Sequence, residues 1–171
     1  TAPLQPIIAG APFERLCIDL TGPHCRSDKG NSWILTCTDP FTKWVEAFPL
    51  RNKEAETVAR VLVDQVFTRF GVPLALLSDR GKEVDGNIMR AADHQRDWDD
   101  RLQYVMAAYR ASKHESTGFS ANQLVLGRET RAPVDVVLNL PDPDGPYDTY
   151  DSYVDKLQTR LKESYSQVRE Q

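Results

Sequence analysis

Three β-rich runs crowd into residues 13–50, one amphipathic helix follows, and a further short apolar run comes directly after it. No other feature limits the fold so tightly. Strands, then a helix, then a strand again predict an α/β domain built on a mixed sheet. In the first run Leu16, Ile18 and Leu20 alternate with Arg15, Cys17 and Asp19, the period of a strand. The segment TGPHCRSDKGN then reads as a turn, through Gly22-Pro23 and a polar cluster. Runs 32–38 (SWILTCT) and 43–50 (KWVEAFPL) are separated only by a short turn at Asp39-Pro40, so the three read as an antiparallel meander.

The helix has its own signals. Asn52 stands where an N-cap belongs, Glu54 and Glu56 suit the positive end of the helix dipole, and Val58, Val61, Leu62, Val66 and Phe70 share one stripe. Gly71 and Pro73 stop it. Residues 74–78 (LALLS) then predict a buried strand ending at Asp79. Residues 82–92 read as a weak helix broken by Gly86. From Trp98 the positions Trp98, Leu102, Val105, Met106 and Tyr109 form a second stripe, read as core. After a loop at 113–119, Ser120 is placed to cap a short helix ending at Gly127. The resulting organisation is an extended lead-in (1–12), a domain over 13–140, and an acidic linker with a C-terminal helix over 141–171. Val154, Leu157, Leu161 and Val168 lie near heptad spacing, in too short a run for a coiled coil.

Composition narrows the function classes. The chain has 171 residues with 21 Lys+Arg against 25 Asp+Glu, a formal charge of −4. The deficit lies wholly after residue 92, since residues 1–92 hold 11 basic and 11 acidic side chains. Nucleic-acid binders are usually basic, so strong DNA affinity by this chain alone is not expected. No apolar run is long enough to span a membrane, and the opening residues lack the pattern of a signal peptide. Cys17, Cys25 and Cys37 are odd in number and form no Cys-x-x-Cys pair, which argues against a zinc site or a disulfide framework. Three reduced thiols in an intracellular protein are expected.

Two aspartates carry the chemical interest. Asp19 points opposite to Leu16, Ile18 and Leu20 in an apolar strand, and Asp79 closes another strand just before Arg80-Gly81. Carboxylates at strand ends facing one cleft are what a hard divalent cation needs. A pair of such metals about 3.5–4 Å apart can activate a nucleophile and stabilise the leaving oxygen of a phosphodiester. That arrangement usually takes a third carboxylate. On residue chemistry alone the plainer alternative, a solvated strand residue and a turn residue, is the stronger.

Resemblance reverses that balance. PFERLCIDLTGP, TDPFTKWVEAFPL, VFTRFGVP and LLSDRG, in this order, resemble the integrase catalytic core of Gypsy-type LTR retrotransposons and retroviruses. Further on, AAYRASKHESTGFSANQLVLGRE is similar to the segment that follows the family's catalytic helix. The likeness runs from about Pro12 to Val137. It implies a ribonuclease H-like fold, a mixed five-stranded sheet flanked by helices, and cutting and joining of DNA by an Asp, Asp, Glu triad with two Mg²⁺ or Mn²⁺ ions. By motif, Asp19 is the first acid and Asp79 the second, both as catalytic residues and as metal ligands. The 59 residues between them fit the family's spacing.

The third acid has no counterpart. The family carries it near an Asn-Gly and a Glu-Arg, yet this chain has no Asn-Gly, and its single Glu-Arg is Glu14-Arg15. Only 18 residues separate Asp79 from Trp98. A block of a few dozen residues is therefore expected to be missing near Ala91-Ala92-Asp93, by deletion or through a defective gene model. Thirty-five residues separate Asp79 from Glu115, a spacing that imitates the triad, but Glu115 falls in the loop KHESTGFS, which lacks a rigid platform for a ligand. Glu83 falls in a stretch that is loop in the family. The expectation is an incomplete, catalytically impaired core with weakened Mg²⁺ or Mn²⁺ binding, and DNA as a weakly held partner. Neither a membrane nor a small-molecule cofactor is expected, and the resemblance points to a nuclear setting. The rival readings are a non-enzymatic module that forms homodimers or binds a partner, and the product of a defective gene model.

Overall fold

The computed structural model describes residues 10–78, 96–131, 133–138, 140 and 149–170. Four strands form one sheet in the order β3-β2-β1-β4, with β1 Arg15–Thr21, β2 Trp33–Thr38, β3 Val45–Leu50 and β4 Ala75–Ser78. The meander is antiparallel, with Asp19 opposite Thr36 and Thr36 opposite Ala47. β4 lies parallel to β1, in register from Arg15↔Ala75 to Ile18↔Ser78. The mixed sheet follows from the connections, because a helix between β3 and β4 brings the chain back in the direction of β1.

That helix, α1, covers residues 55–70 in three pieces: Ala55–Val61, a wider π-type turn over Leu62–Phe67, and Thr68–Phe70. Thr68 N–H bonds the Val63 carbonyl, five residues back, within the widened turn. Leu62 and Val66 are buried against Leu16, Leu35, Cys37, Phe48 and Leu50, and Val58, Val61 and Phe70 pack at the margin of this cluster. Each large apolar side chain so buried contributes roughly 1.5–3 kcal/mol. Glu46 of β3 is buried on this side and pairs with Arg69 at 3.3 Å, while Trp44 Nε1 donates to its Oε1 at 2.9 Å. The helix closes at Gly71, whose N–H bonds the Phe67 carbonyl.

Helix α2, Trp98–Ala111, covers the opposite face. Trp98, Leu102 and Met106 are buried with Ile34, Val45 and Ala47, and Val105 and Tyr109 pack beside them. The stripe read from the sequence is thus core. Gln103 Nε2 adds a bond to the Ala47 carbonyl at 2.8 Å.

Two expectations are corrected. LALLS is not a buried strand: Leu74 is 83% exposed and Leu76 46%. Among the described residues β4 ends the strand order, and the buried side chains of α1 lie over the meander instead. Nor does Asn52 cap the helix. Glu54 is the N-cap and makes no side-chain cap bond, while Asn52, two residues too early, accepts through Oδ1 from Glu54 N–H at 3.1 Å. The lead-in 1–9, the predicted helix at 82–92 with Glu83, and most of the acidic linker lie outside the described residues.

The chain divides into two compact units, Thr1–Tyr109 and Arg110–Gln171. In the second, Ser120 caps α3 (Ala121–Leu126) by accepting from Gln123 N–H at 3.0 Å, and Gly127 ends it at φ 69. A short helix α4, Pro133–Val137, follows, and α5 runs over Tyr150–Glu170. Tyr165 Oη donates to the Leu124 carbonyl at 2.8 Å, joining α5 to α3. No helix among the described residues is long and apolar enough to cross a membrane.

Candidate active site

Asp19 stands in the middle of β1, half-buried. Its pairing with Thr36, and that of Thr36 with the buried Ala47, puts it on the sheet face that α2 covers. Leu16, Ile18 and Leu20 take the other face, as the alternation predicts. Asp19 Oδ1 accepts from Leu20 N–H at 2.9 Å. Among the described residues this is the carboxylate's one hydrogen bond, so Oδ2 keeps its lone pairs. A hard oxygen donor, oriented through one oxygen and open through the other, fits a divalent cation.

Asp79 lies outside the described residues. The chain reaches it directly from Ser78, the partner of Ile18 in the parallel ladder. Glu115 is exposed in the 114–118 turn of the second unit, the loop that the sequence implies. No group of three or more His, Cys, Asp or Glu side chains among the described residues is arranged to hold a metal. Cys17, Cys25 and Cys37 are all free thiols.

Sequence reasoning missed what the acids at the start of α2 do. Asp97, Asp99 and Asp100 belong to the acidic excess that the sequence places after residue 92, yet each has a local partner. Asp97 pairs with Arg101 at 2.9 Å and Asp100 with Lys29. Asp99 is 8% exposed, and its Oδ2 accepts from Ser27 Oγ at 2.7 Å and Asn31 Nδ2 at 2.8 Å. Burial pushes the Asp99 carboxyl upward, but these bonds and the Lys29 charge outweigh it and leave the group below the usual carboxylate range. Trp98 Nε1 donates to the Cys25 carbonyl and Asp28 N–H to the Arg96 carbonyl, both at 2.8 Å. The loop at 22–32, which leaves β1 two residues after Asp19, is thereby fastened to the start of α2. Its first residue must be glycine: at φ 142, a Cβ on Gly22 would stand 2.7 Å from the Ser32 carbonyl oxygen. The one sequence signal was the polar cluster Ser-Asp-Lys-Gly-Asn, which named a turn but not its partner.

A mixed sheet in this strand order, with helices on both faces and a carboxylate at the centre of its first strand, is the ribonuclease H-like arrangement. Residues 9–111 match the family model described as the integrase core domain. The chain belongs to the integrase core domain family, whose members depend on divalent metal and bind DNA. It is 24% identical over 195 residues to the retrovirus-related Pol polyprotein from transposon 412 of Drosophila melanogaster, a match covering 92% of this chain and 16% of that polyprotein. Over 52 residues, 30% of this chain, it is 42% identical to the Gag-Pol polyprotein of Koala retrovirus and 40% identical to the Pol polyprotein of Feline endogenous virus ECE1. Those stretches are 3% and 5% of the two polyproteins, so the chain spans a small part of each relative.

Proposed function

We propose that this chain is a retroelement integrase core, of the LTR-retrotransposon kind, that keeps the two aspartates of its metal site and lacks the third acid. The observation that carries the reading is the β1/β4 ladder. It runs in parallel register to Ile18↔Ser78; Asp19 follows Ile18 in β1, and Asp79, outside the described residues, follows Ser78 in the sequence. Neighbours on parallel strands share a face, so a ladder continued by one pair would bring the two carboxylates together on the face toward α2. Bound there, Mg²⁺ or Mn²⁺ would supply Lewis-acid stabilisation of charge at a phosphodiester. Asp19 would contribute an oriented oxygen donor, and α2 would shield the flank of the site from water through Trp98 and Met106.

The length of the match supports a missing acid. The matched stretch of the transposon 412 polyprotein, 195 residues, is longer than this entire 171-residue chain. The relative thus holds residues with no counterpart here, which supports loss of the block that would carry the glutamate. Two aspartates hold one metal far better than two, so the chain binds DNA and divalent metal weakly and does not join strands. The test is strand transfer on a labelled duplex with Mg²⁺ and with Mn²⁺, alongside calorimetric Mn²⁺ binding. No joined product and weak Mn²⁺ binding, abolished by Asp19→Asn, are expected. Metal-dependent nicking or joining that disappears in Asp19→Asn would refute the loss of activity, and Mn²⁺ binding indifferent to Asp19→Asn would refute the site.

One observation favours a second reading, a self-associating module. Val134, Val136, Val137 and Leu138 stand between 56% and 82% exposed in and just after α4. Sedimentation of the chain beside Val137→Glu decides it: a dimer that the charge disperses supports this reading, and a monomer in both ends it.

A further inference from the structure

The loop at 22–32 is held more firmly than a connection between two strands requires, and it presents cations that the fold does not use. The acids around it are already engaged: Asp97 by Arg101, Asp99 by Ser27 and Asn31, Asp100 by Lys29. The loop also closes on itself, with Ser27 N–H on the Asn31 carbonyl at 2.8 Å and Asn31 N–H on Ser27 Oγ at 3.1 Å. Arg26 in the loop and Arg96 just before α2 are exposed and form no ion pair among the described residues. The Asp28–Arg96 backbone bond joins their two segments. On the approach from β1, His24 Nε2 lies 3.3 Å from Thr21 Oγ1, and Thr21 shares the strand face of Asp19.

We propose that this loop is a preorganised contact for the sugar-phosphate backbone of duplex DNA, with Arg26 and Arg96 as the cations that meet phosphates and Asp99 as the positioning residue that fixes the Arg26 segment. The proposal rests on the polynucleotide reading above and adds to it the residues that grip the strand beside Asp19. The guanidinium fork matches a phosphate's oxygens. A loop already held in place loses little freedom on binding, which leaves more of each contact as affinity. Asp28, exposed in the same loop, opposes an anion, so its removal acts in the other direction.

The test is fluorescence anisotropy of the whole chain with a short labelled duplex, over a range of low salt concentrations in EDTA, so that metal binding plays no part. Arg26→Ala and Arg96→Ala should each weaken binding several-fold and lower the slope of log affinity against log salt by about 0.9, the loss of one phosphate contact. Asp28→Asn should tighten binding. Asp99→Ala should weaken it as Arg26→Ala does and add almost nothing to Arg26→Ala in the double variant. Asp99→Asn, which keeps an acceptor oxygen for Ser27 and Asn31, should recover most of the loss. If the parent chain binds duplex while both arginine variants keep its affinity and slope, this inference is overturned and the polynucleotide reading stands. If the parent binds no duplex at any salt concentration, both fall. Additive losses for Asp99→Ala and Arg26→Ala would remove the positioning role. The arginine variants lie on the surface and carry the test even where Asp99→Ala does not fold.

Discussion

Asp39→Ala should cost this chain about 3–4 kcal/mol, a third or more of the stability of an ordinary domain of this size. Asp39 occupies the β2–β3 turn with no exposed surface. Oδ1 accepts from Phe41 N–H at 3.2 Å, and Oδ2 accepts from Thr42 N–H at 3.1 Å and Thr42 Oγ1 at 2.6 Å. Phe41 and Thr42 are themselves buried, so truncation strands three donors, each worth about 1–3 kcal/mol when left unmet. The sum is reduced because the carboxylate's own desolvation disappears with it. Asp39→Asn keeps the Thr42 bonds but turns an amide N–H₂ toward Phe41 N–H, for a loss of about 1–2 kcal/mol. Urea unfolding followed by circular dichroism gives the comparison, provided the slope m is unchanged. The reasoning fails if the alanine variant stays within about 0.5 kcal/mol of the parent, the range of a neutral surface change. A pH series adds an independent arm. Burial raises the Asp39 carboxyl above its ordinary 3.8, against the pull of the Thr42 and Phe41 bonds. An acid whose folded value is raised contributes most below its unfolded value and loses that contribution as pH rises through the folded one. The parent should therefore lose stability relative to Asp39→Asn as pH climbs from about 4.

Other consequences can be checked as directly. Burial, reinforced by the Glu46 charge, pushes the Cys37 thiol up to about 12, so a thiol reagent at mild alkaline pH should label the exposed Cys25 first and Cys37 only on unfolding. Early labelling of Cys37 would contradict the packing described. Gly127→Ala should lower the melting temperature, since a Cβ there would lie 2.1 Å from Leu157 Cδ1 at a φ of 69; a loss of about 1–2 kcal/mol is expected, and an unchanged melt would refute it. The Asp99 carboxyl is depressed, so its contribution is complete above about pH 4 and disappears as pH falls through the folded value. Acid unfolding of the parent should steepen there relative to Asp99→Asn, and coincident curves would show that the Ser27 and Asn31 bonds carry no charge-linked stability.

The sheet and its covering helices were legible because local periodicity and tertiary burial agree. The alternation around Asp19 and the stripes of α1 and α2 each describe a surface facing one neighbour, and Ser120 and Gly127 act within a single turn. Information that depends on distant partners was not legible. A short apolar run such as LALLS reads as buried wherever it lies, because the sequence does not say whether a strand is central or at an edge, and Leu76 is at the edge. Asn52 carries the chemistry of a cap, yet the chain enters the helix two residues later. Asp99 looked like surface charge because Ser27 and Asn31, which make it an interior group, lie about 70 residues away. Of the candidate site, the sequence named Asp19 and its strand, and the α2 face beside it became visible only through the register.

The fastening of the loop at 22–32 to Arg96, Trp98 and Asp99 has a bearing on how such a chain survives rearrangement. Ser78 is paired to Ile18 in the sheet, and Arg96 and Trp98 are bonded to the Asp28 and Cys25 backbones. Both anchor points draw their bonds from the first third of the chain, so neither depends on how many residues pass between them. Where both ends of a segment are moored, a change of length costs little, because the entropy of closure changes by only about 0.6 kcal/mol per doubling. Such moorings let the architectural frame outlast a change in what lies between them.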